Sequence, residues 1–267
     1  MIPALIVLGV LLALYFAFFL ENRRFTCTGS VFEHGKVKEP FRIVQVSDLH
    51  DASFGKDGNK LIDAIRAYRP DMILLTGDLF NRRNARAYRN AMQFARTAVL
   101  IAPTYFAEGN HECSLGETGE RFIQEIERIG VIVLRDAYRD LKECHLIGLK
   151  QYAPPQTLAE MLDPDRLNVV MAHRPELFPI YAQTGVELVL SGHAHGGQIR
   201  LFGRALYAPG QGFFPRFTQG YYEEGRSTMY VSRGLGNTIP FPRVFDTPEL
   251  CMIEIRPKRK GEDHTCS

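Results

Sequence analysis

The feature that most constrains the fold of this chain is an alternation of short β-rich apolar runs with longer amphipathic stretches. Short continuous apolar runs predict buried strands, and stretches with a period near that of the α-helix predict helices. The predicted strands are residues 41–46, 71–76, 103–107, 131–134, 145–149, 167–172, 186–191, 228–232 and 250–255. The predicted helices are residues 61–68, 85–99, 119–129, 157–162 and 175–183. This pattern is typical of an α/β domain.

The amino-terminal segment has a different character, because residues 2–20 contain no charged side chain. Its length is close to the ~20 apolar residues that span a bilayer. We therefore predict a transmembrane helix, as an anchor over residues 1–21. The alternatives are a buried core helix and a cleaved signal peptide. The signal peptide lacks support because no basic residue precedes the apolar run and no small residues follow Leu20.

The remaining boundaries follow from composition and charge. Arg23 and Arg24 flank the predicted anchor, and cationic flanks prefer the cytoplasmic side, so the soluble domain that follows is expected in the cytoplasm. Residues 22–40 are interpreted as a polar, extended linker, residues 41–257 as one domain, and residues 258–267 as a disordered tail.

Polar residues follow five of the predicted strands directly, at the point where each strand ends. The carboxyl ends of parallel strands collect the active sites of α/β domains, so these side chains are expected to lie together. Five of the eight histidines of the chain belong to these strand-end groups. The seven candidate metal ligands are Asp48, His50, Asp78, Asn110, His173, His193 and His195.

Imidazole nitrogen mixed with carboxylate and amide oxygen suits Mn, Fe or Zn, whereas Mg and Ca prefer oxygen alone. Seven ligands are too many for one such ion. They are the number expected for two divalent ions that share a bridging carboxylate, about 3.5–4 Å apart.

These groups, in order, resemble the motifs of the calcineurin-like metallophosphoesterases. The motifs are Asp48-x-His50, Gly77-Asp78, Gly109-Asn110-His111-Glu112, His173 and Gly192-His193-x-His195. The resemblance covers residues 41–256 and implies a four-layer α/β/β/α sandwich. It implies one metal held by Asp48, His50 and His195, a second held by Asn110, His173 and His193, and a bridging Asp78. A hydroxide between the metals would then attack phosphorus.

Residues 191–198 and 230–236 resemble more narrowly a membrane-associated bacterial branch of that family, which includes enzymes similar to UDP-2,3-diacylglucosamine pyrophosphatases and broad phosphodiesterases. The resemblance makes His111 the catalytic residue that protonates the leaving oxygen; a purely orienting role is the alternative. Many relatives carry an aspartate three residues after the bridging one, to pair with this histidine, and here the residue is Asn81. We expect the histidine to rely on Glu112 or a backbone group instead.

The expected function is therefore hydrolysis of a phosphate ester or anhydride, as a phosphodiesterase or pyrophosphatase acting on a phosphorylated small molecule or a lipid-linked or nucleotide-linked substrate. Arg174 and Arg233 are candidate phosphate contacts, with a surface ion pair as the alternative for each. A net charge of +2 gives no support to nucleic acid as a partner. A phosphoprotein phosphatase and a metal-binding scaffold without turnover are the alternative functions.

Overall fold

The computed structural model describes residues 2–50, 52–81, 85–237 and 241–258. Their principal strands are β1 Thr26–His34, β2 Phe41–Val46, β3 Met72–Leu75, β4 Thr104–Phe106, β5 Ile132–Val133, β6 Ala137–Asp140, β7 His145–Gly148, β8 Asn168–Met171 and β9 Leu188–Ser191. There follow β10 Arg200–Leu201, β11 Arg204–Ala205, β12 Tyr207–Ala208, β13 Gly212–Phe213, β14 Gly220–Glu224, β15 Ser227–Val231 and β16 Glu249–Pro257. The helices are α1 Ile2–Glu21, α2 Asn59–Tyr68, α3 Ala85–Ala98, α4 Asn110–Ser114, α5 Glu117–Arg128, α6 Pro155–Met161 and α7 Phe178–Ala182.

Most of the strands form two mixed six-stranded sheets. The first has the order β1-β16-β2-β3-β4-β5 and the second β14-β15-β9-β8-β7-β6. Strands β2 to β5 run parallel in the first sheet, and β7, β8, β9 and β15 run parallel in the second. The carboxyl ends of β2, β3 and β4 therefore meet at one edge of the first sheet, and those of β8 and β9 meet at one edge of the second.

The side chains of successive residues show how the layers pack. Ile43 lies between the two sheets with Leu190 of the second sheet, whereas its neighbour Val44 packs against helices α2, α3 and α5. On the second sheet Val169 faces the first sheet, and Val170 packs under α6 and α7. Because successive residues of a strand point to opposite faces, the two sheets are apolar on both sides. The layers are helix, sheet, sheet, helix, and the α/β architecture is confirmed.

The prediction of a linker over residues 22–40 is wrong for its central part. Residues 26–34 form β1, which pairs in parallel with β16 from Thr26 opposite Glu249 to His34 opposite Pro257. As an edge strand it is exposed or half-buried along its length. Its sequence therefore lacks the apolar run by which the central strands were predicted. Of the predicted tail only Lys258 is described; residues 259–267 lie outside the described residues.

The predicted transmembrane anchor is also wrong. Within the described part of the chain, no helix combines the length and the apolar character that crossing a bilayer requires. The last turn of α1 packs on the domain: the Phe18 ring lies 5.3 Å from that of Phe245, and Thr247 donates a 3.2 Å hydrogen bond to Glu21. The single-pass membrane location and the cytoplasmic orientation deduced from it therefore have no basis.

Candidate metal centre

The edge where the two sheets meet brings six of the seven predicted ligands into two overlapping groups. Ligand atoms of Asp48, His50, Asp78 and His195 all lie within 4.8 Å of one another, as do those of Asp78, His173 and His193. Asn110 joins the second group, since its Oδ1 lies 3.2 Å from His173 Nε2. Asp78 is common to both groups. The structure therefore places all seven residues together, although they are spread over 148 positions, from 48 to 195.

The backbone leaves the strands in an unusual conformation. The residues Asp48, His50, Asp78, His193 and His195 have φ between 50° and 66°, in the left-handed region. Residues other than glycine adopt this region rarely, and such outliers gather at functional sites. The turns that follow β2, β3 and β9 are thus made by the candidate ligands themselves.

Glycines precede three of the candidate ligands, and two of them are required by close packing rather than by backbone conformation. Gly77 has φ 91°, but Gly109 and Gly192 do not have positive φ. A Cβ atom on Gly109 would collide with Asp78 Oδ1, and one on Gly192 would collide with Ser47 Oγ. These two glycines are needed because side-chain oxygens of the site pack directly against their α-carbons.

Hydrogen bonds fix the carboxylates in place. Asp48 Oδ2 accepts from Ser47 Oγ at 2.7 Å and from the His193 backbone N–H at 3.0 Å. Asp78 Oδ1 accepts from the His111 backbone N–H at 2.8 Å. Each carboxylate is therefore tied to another loop of the cluster.

Glu112 is a structural residue of the site whose role was not predicted. Its buried carboxylate accepts three backbone hydrogen bonds, from Asp78 at 3.0 Å, Leu79 at 2.8 Å and Gly109 at 2.8 Å. It thus joins the loop after β3 to the start of α4. These bonds engage both carboxylate oxygens with backbone groups, which differs from the predicted pairing of Glu112 with the His111 side chain.

Backbone carbonyl groups fix the ring orientation of two histidines of the cluster. Thr76 O accepts from His173 Nδ1 at 2.7 Å, and Gly236 O accepts from His195 Nδ1 at 3.2 Å. Because a carbonyl oxygen can only accept, Nδ1 carries a proton in both rings, and Nε2 is the nitrogen that faces the carboxylates of the cluster. Burial also lowers the pKa of His50 to about 3 and that of His195 well below its usual value. Both imidazoles are therefore neutral, as metal binding requires.

The pKa values of Asp48 and His173 are raised, in contrast to those of His50 and His195. Burial raises the pKa of Asp48 to about 6. For His173 burial acts against the charged form, but the adjacent Asp78 carboxylate, 3.4 Å from Nε2, outweighs it and raises the pKa to about 9. The proton on His173 thus offsets part of the negative charge of the buried carboxylates, and a divalent cation bound there would take the place of that proton. Divalent cations held by nitrogen and oxygen donors fit this site.

A comparison with protein families gives the same assignment. The family model described as calcineurin-like phosphoesterase matches residues 41–197, more than half of the chain. The chain belongs to the calcineurin-like phosphoesterase family. Members of this family hydrolyse phosphate esters, and the buried Asp and His cluster is a dimetal-binding site. The predicted enzyme class is confirmed.

Relatives of this calcineurin-like phosphoesterase include three bacterial proteins. The metallophosphoesterase Cj0846 of Campylobacter jejuni is 29% identical over 84% of this chain, which spans 61% of that relative's length. The metallophosphoesterase YkuE of Bacillus subtilis is 28% identical over 89% of this chain and 86% of its own. The phosphodiesterase YaeI of Escherichia coli is 28% identical over 81% of this chain and 82% of its own.

The other residues that the sequence singled out differ in their distance from the metal centre of this phosphoesterase. His111 Nε2 lies 3.9 Å from Asp78 Oδ2, with about a quarter of its side chain exposed, so it borders the cluster on the solvent side. Asn81 is buried. Arg174 Nη1 donates to His193 Nε2 at 3.1 Å, beside the metal centre. The Arg233 guanidinium instead pairs with Glu249 at 3.4 Å and donates to Thr26 at 3.1 Å.

Arg243 is a further residue of the phosphoesterase that sequence reasoning missed. It is fully buried and donates to Gly236 O at 2.5 Å, to Arg233 O at 2.7 Å and to His195 O at 3.3 Å. Asp246 balances its charge at 3.1 Å. It thus holds the His195 loop from behind. No pattern in the sequence distinguishes it from the exposed arginines.

Proposed function

We propose that this phosphoesterase is a phosphodiesterase that acts through two divalent ions chosen from Mn, Fe and Zn. Asp48, His50 and His195 would hold one ion, Asn110, His173 and His193 would hold the other, and Asp78 would be shared by both. The observation that carries the proposal is the shared position of Asp78, which belongs to both groups of buried ligand atoms. Such sharing is how a carboxylate bridges two ions in dimetal hydrolases.

The two ions, when bound, would lower the pKa of a shared water and neutralise charge on the phosphoryl oxygens. The residues of the chain supply the rest. His111 Nε2, on the solvent side of Asp78, is the proposed proton donor to the leaving oxygen. The His111 backbone N–H, bound to Asp78 Oδ1, keeps that ring next to the bridge.

One observation favours a diester as the substrate, and a second is compatible with it. The Escherichia coli relative with comparable coverage of both chains is named a phosphodiesterase. In addition, the candidate donor His111 is partly exposed, so a substituent on phosphorus has access to it. Anhydrides offer the same phosphoryl oxygens and a better leaving group, so pyrophosphate linkages of nucleotides belong to the same proposed substrate class.

The bridging role is tested by Asp78→Asn, with Asp63→Asn as the control because Asp63 is an exposed aspartate on α2. We expect Asp78→Asn to lower turnover of bis(p-nitrophenyl) phosphate in Mn by about 100-fold or more, since even residues behind a metal ligand cost 10- to 100-fold. Mn bound per chain, measured by elemental analysis, should fall as well. Full activity and full metal content in Asp78→Asn would refute the bridge.

The substrate class is tested by comparing bis(p-nitrophenyl) phosphate with p-nitrophenyl phosphate and a phosphoserine peptide. A diesterase should have its highest kcat/KM on the first. Faster release of phosphate from the peptide would instead support the phosphoprotein phosphatase alternative, and no turnover on any of the three would support the scaffold.

A further inference from the structure

A cavity of about 580 Å³, lined mainly by the loops that follow β4 and β7, adjoins the metal centre. Asn110, a proposed metal ligand, forms part of its wall, and so does Arg174, which contacts His193 at 3.1 Å. A group bound in this cavity would therefore lie next to a phosphate held at the metal centre. Its volume is within the range of small-ligand sites.

Tyr152 lines this cavity with an unusually exposed ring. Its exposed fraction is 69%, and the Arg174 guanidinium carbon lies 4.5 Å from the ring centroid. Arg174 is itself fixed, because it donates to Gln151 Oε1 at 2.8 Å and to Glu176 Oε1 at 2.9 Å. A cation held over one side of an aromatic ring orients it. The solvent-facing side of Tyr152 is left available for stacking.

Most of the other lining residues are polar by type, although Cys113, Ala153 and Pro154 also contribute to the wall. Ser114, Asp136 and Lys150 line the same cavity as the ring, and Gln151 forms a buried part of the wall. An acyl chain would need a continuous apolar lining, and the charged residues Asp136 and Lys150 interrupt the apolar part of this wall. A planar ring with hydrogen-bonding edges fits better, because its flat side can stack on Tyr152 while its edge contacts polar groups.

We propose that this cavity binds the base of a nucleotide, stacked on Tyr152, while the phosphate of that nucleotide lies at the metal centre. The proposal rests on the proposed function, and narrows its substrate class to nucleotide esters and anhydrides. Tyr152 is the specificity-determining residue. Arg174 positions the ring, and its charge is opposed by Glu176 at 2.9 Å, so the phosphate is left to the metal ions.

The test compares two ligands that differ only in the base. Adenosine 5′-monophosphate and ribose 5-phosphate are measured as competitive inhibitors of bis(p-nitrophenyl) phosphate hydrolysis by the full chain in Mn. Stacking of one base on one aromatic ring changes affinity by roughly 5- to 100-fold. We therefore expect the nucleotide to inhibit at a concentration lower by that factor.

Three variants show whether Tyr152 is responsible. Tyr152→Ala should remove the difference between the two inhibitors, and Tyr152→Phe should retain it because the ring remains. Tyr68→Ala is the matched control: Tyr68 also lies under an arginine, Arg42 at 5.7 Å, but at the opposite end of the strands. It should leave the difference unchanged.

Equal inhibition by the two ligands in the wild-type protein, or a preference for the nucleotide that survives Tyr152→Ala, would overturn the proposal. Failure of the proposed function looks different, because the wild-type protein would then not hydrolyse the diester at all. In that case calorimetric titration with the same two ligands in Mn still compares their affinities.

Discussion

Gly192 has room for a hydrogen atom on its α-carbon but not for a methyl group. A Cβ there would collide with Ser47 Oγ and approach Asp48 Oδ2 to 2.5 Å. We expect Gly192→Ala to lower the free energy of unfolding by about 1–3 kcal/mol, as inserted methyl groups do in packed sites. It should also weaken Mn binding, because Asp48 must move.

Gly29→Ala is the control for this prediction, since nothing lies within 4 Å of a Cβ at that position on β1. Chemical denaturation and elemental analysis of both variants check it. Equal stability and metal content in Gly192→Ala and the parent protein would show that this close contact does not constrain Asp48.

At the scale of single residues, the identity of the candidate ligands could be predicted from the sequence, but their backbone conformation could not. Asp48, His50 and Asp78 could be predicted because they directly follow apolar runs whose ends must meet at a sheet edge. Their left-handed φ could not be predicted, because local propensity favours glycine there and the tertiary contacts decide otherwise. The role of Glu112 in joining two loops could not be predicted for a related reason. Its hydrogen-bond partners are backbone N–H groups, which every residue except proline has, so the sequence does not identify them.

At the scale of elements, the segment 241–247 connects the site to the end of α1. Arg243 in this segment holds the His195 loop, while its backbone N–H donates to Asn22 Oδ1 at 2.8 Å, just after α1. The end of α1 and the metal centre are therefore joined through one buried side chain.

We expect Arg243→Met to lower the free energy of unfolding by about 3–5 kcal/mol, because it leaves the Asp246 carboxylate buried without its cation. Arg256→Met is the control, since Arg256 pairs with Glu254 at the surface and such pairs contribute about 1 kcal/mol or less. Urea denaturation in the presence of a chelator measures both. A loss below about 1 kcal/mol in Arg243→Met would show that the buried pair does not support the fold.

The elements themselves were predictable to the extent that their residues are buried. The central strands β2, β3, β7, β8 and β9 agree with predicted runs because both faces of each are covered by apolar layers. The edge strands β1 and β14 have alternating exposure and no such run, so they were not predicted. Residues 2–20 were correctly interpreted as helical in character, but apolar composition alone did not reveal the packing of the last turn on the domain.

At the scale of the whole molecule, the proposed metal site joins the two sheets. Asp48, Asp78 and Asn110 follow strands of the first sheet, whereas His173, His193 and His195 follow strands of the second. Ions bound by both sets of residues would therefore resist separation of the sheets.

We expect Mn to raise the thermal midpoint of unfolding and a chelator to lower it. An ion that binds only the folded state at 100 times its Kd stabilises that state by about 2.7 kcal/mol. The shift should be much smaller in Asp78→Asn than in Asp63→Asn. Differential scanning calorimetry at fixed protein concentration measures it, and an identical midpoint with and without Mn would argue against cations that bridge the sheets.

The residues with left-handed backbone at the strand ends supply metal ligands, but their conformation lowers the stability of the folded protein. Each of the five holds its backbone in a conformation that costs on the order of 1 kcal/mol. Glycine at one of these positions would relax the loop and remove a ligand in the same step. A library screened for heat tolerance alone, in the presence of chelator, would consequently enrich proteins that have lost hydrolysis.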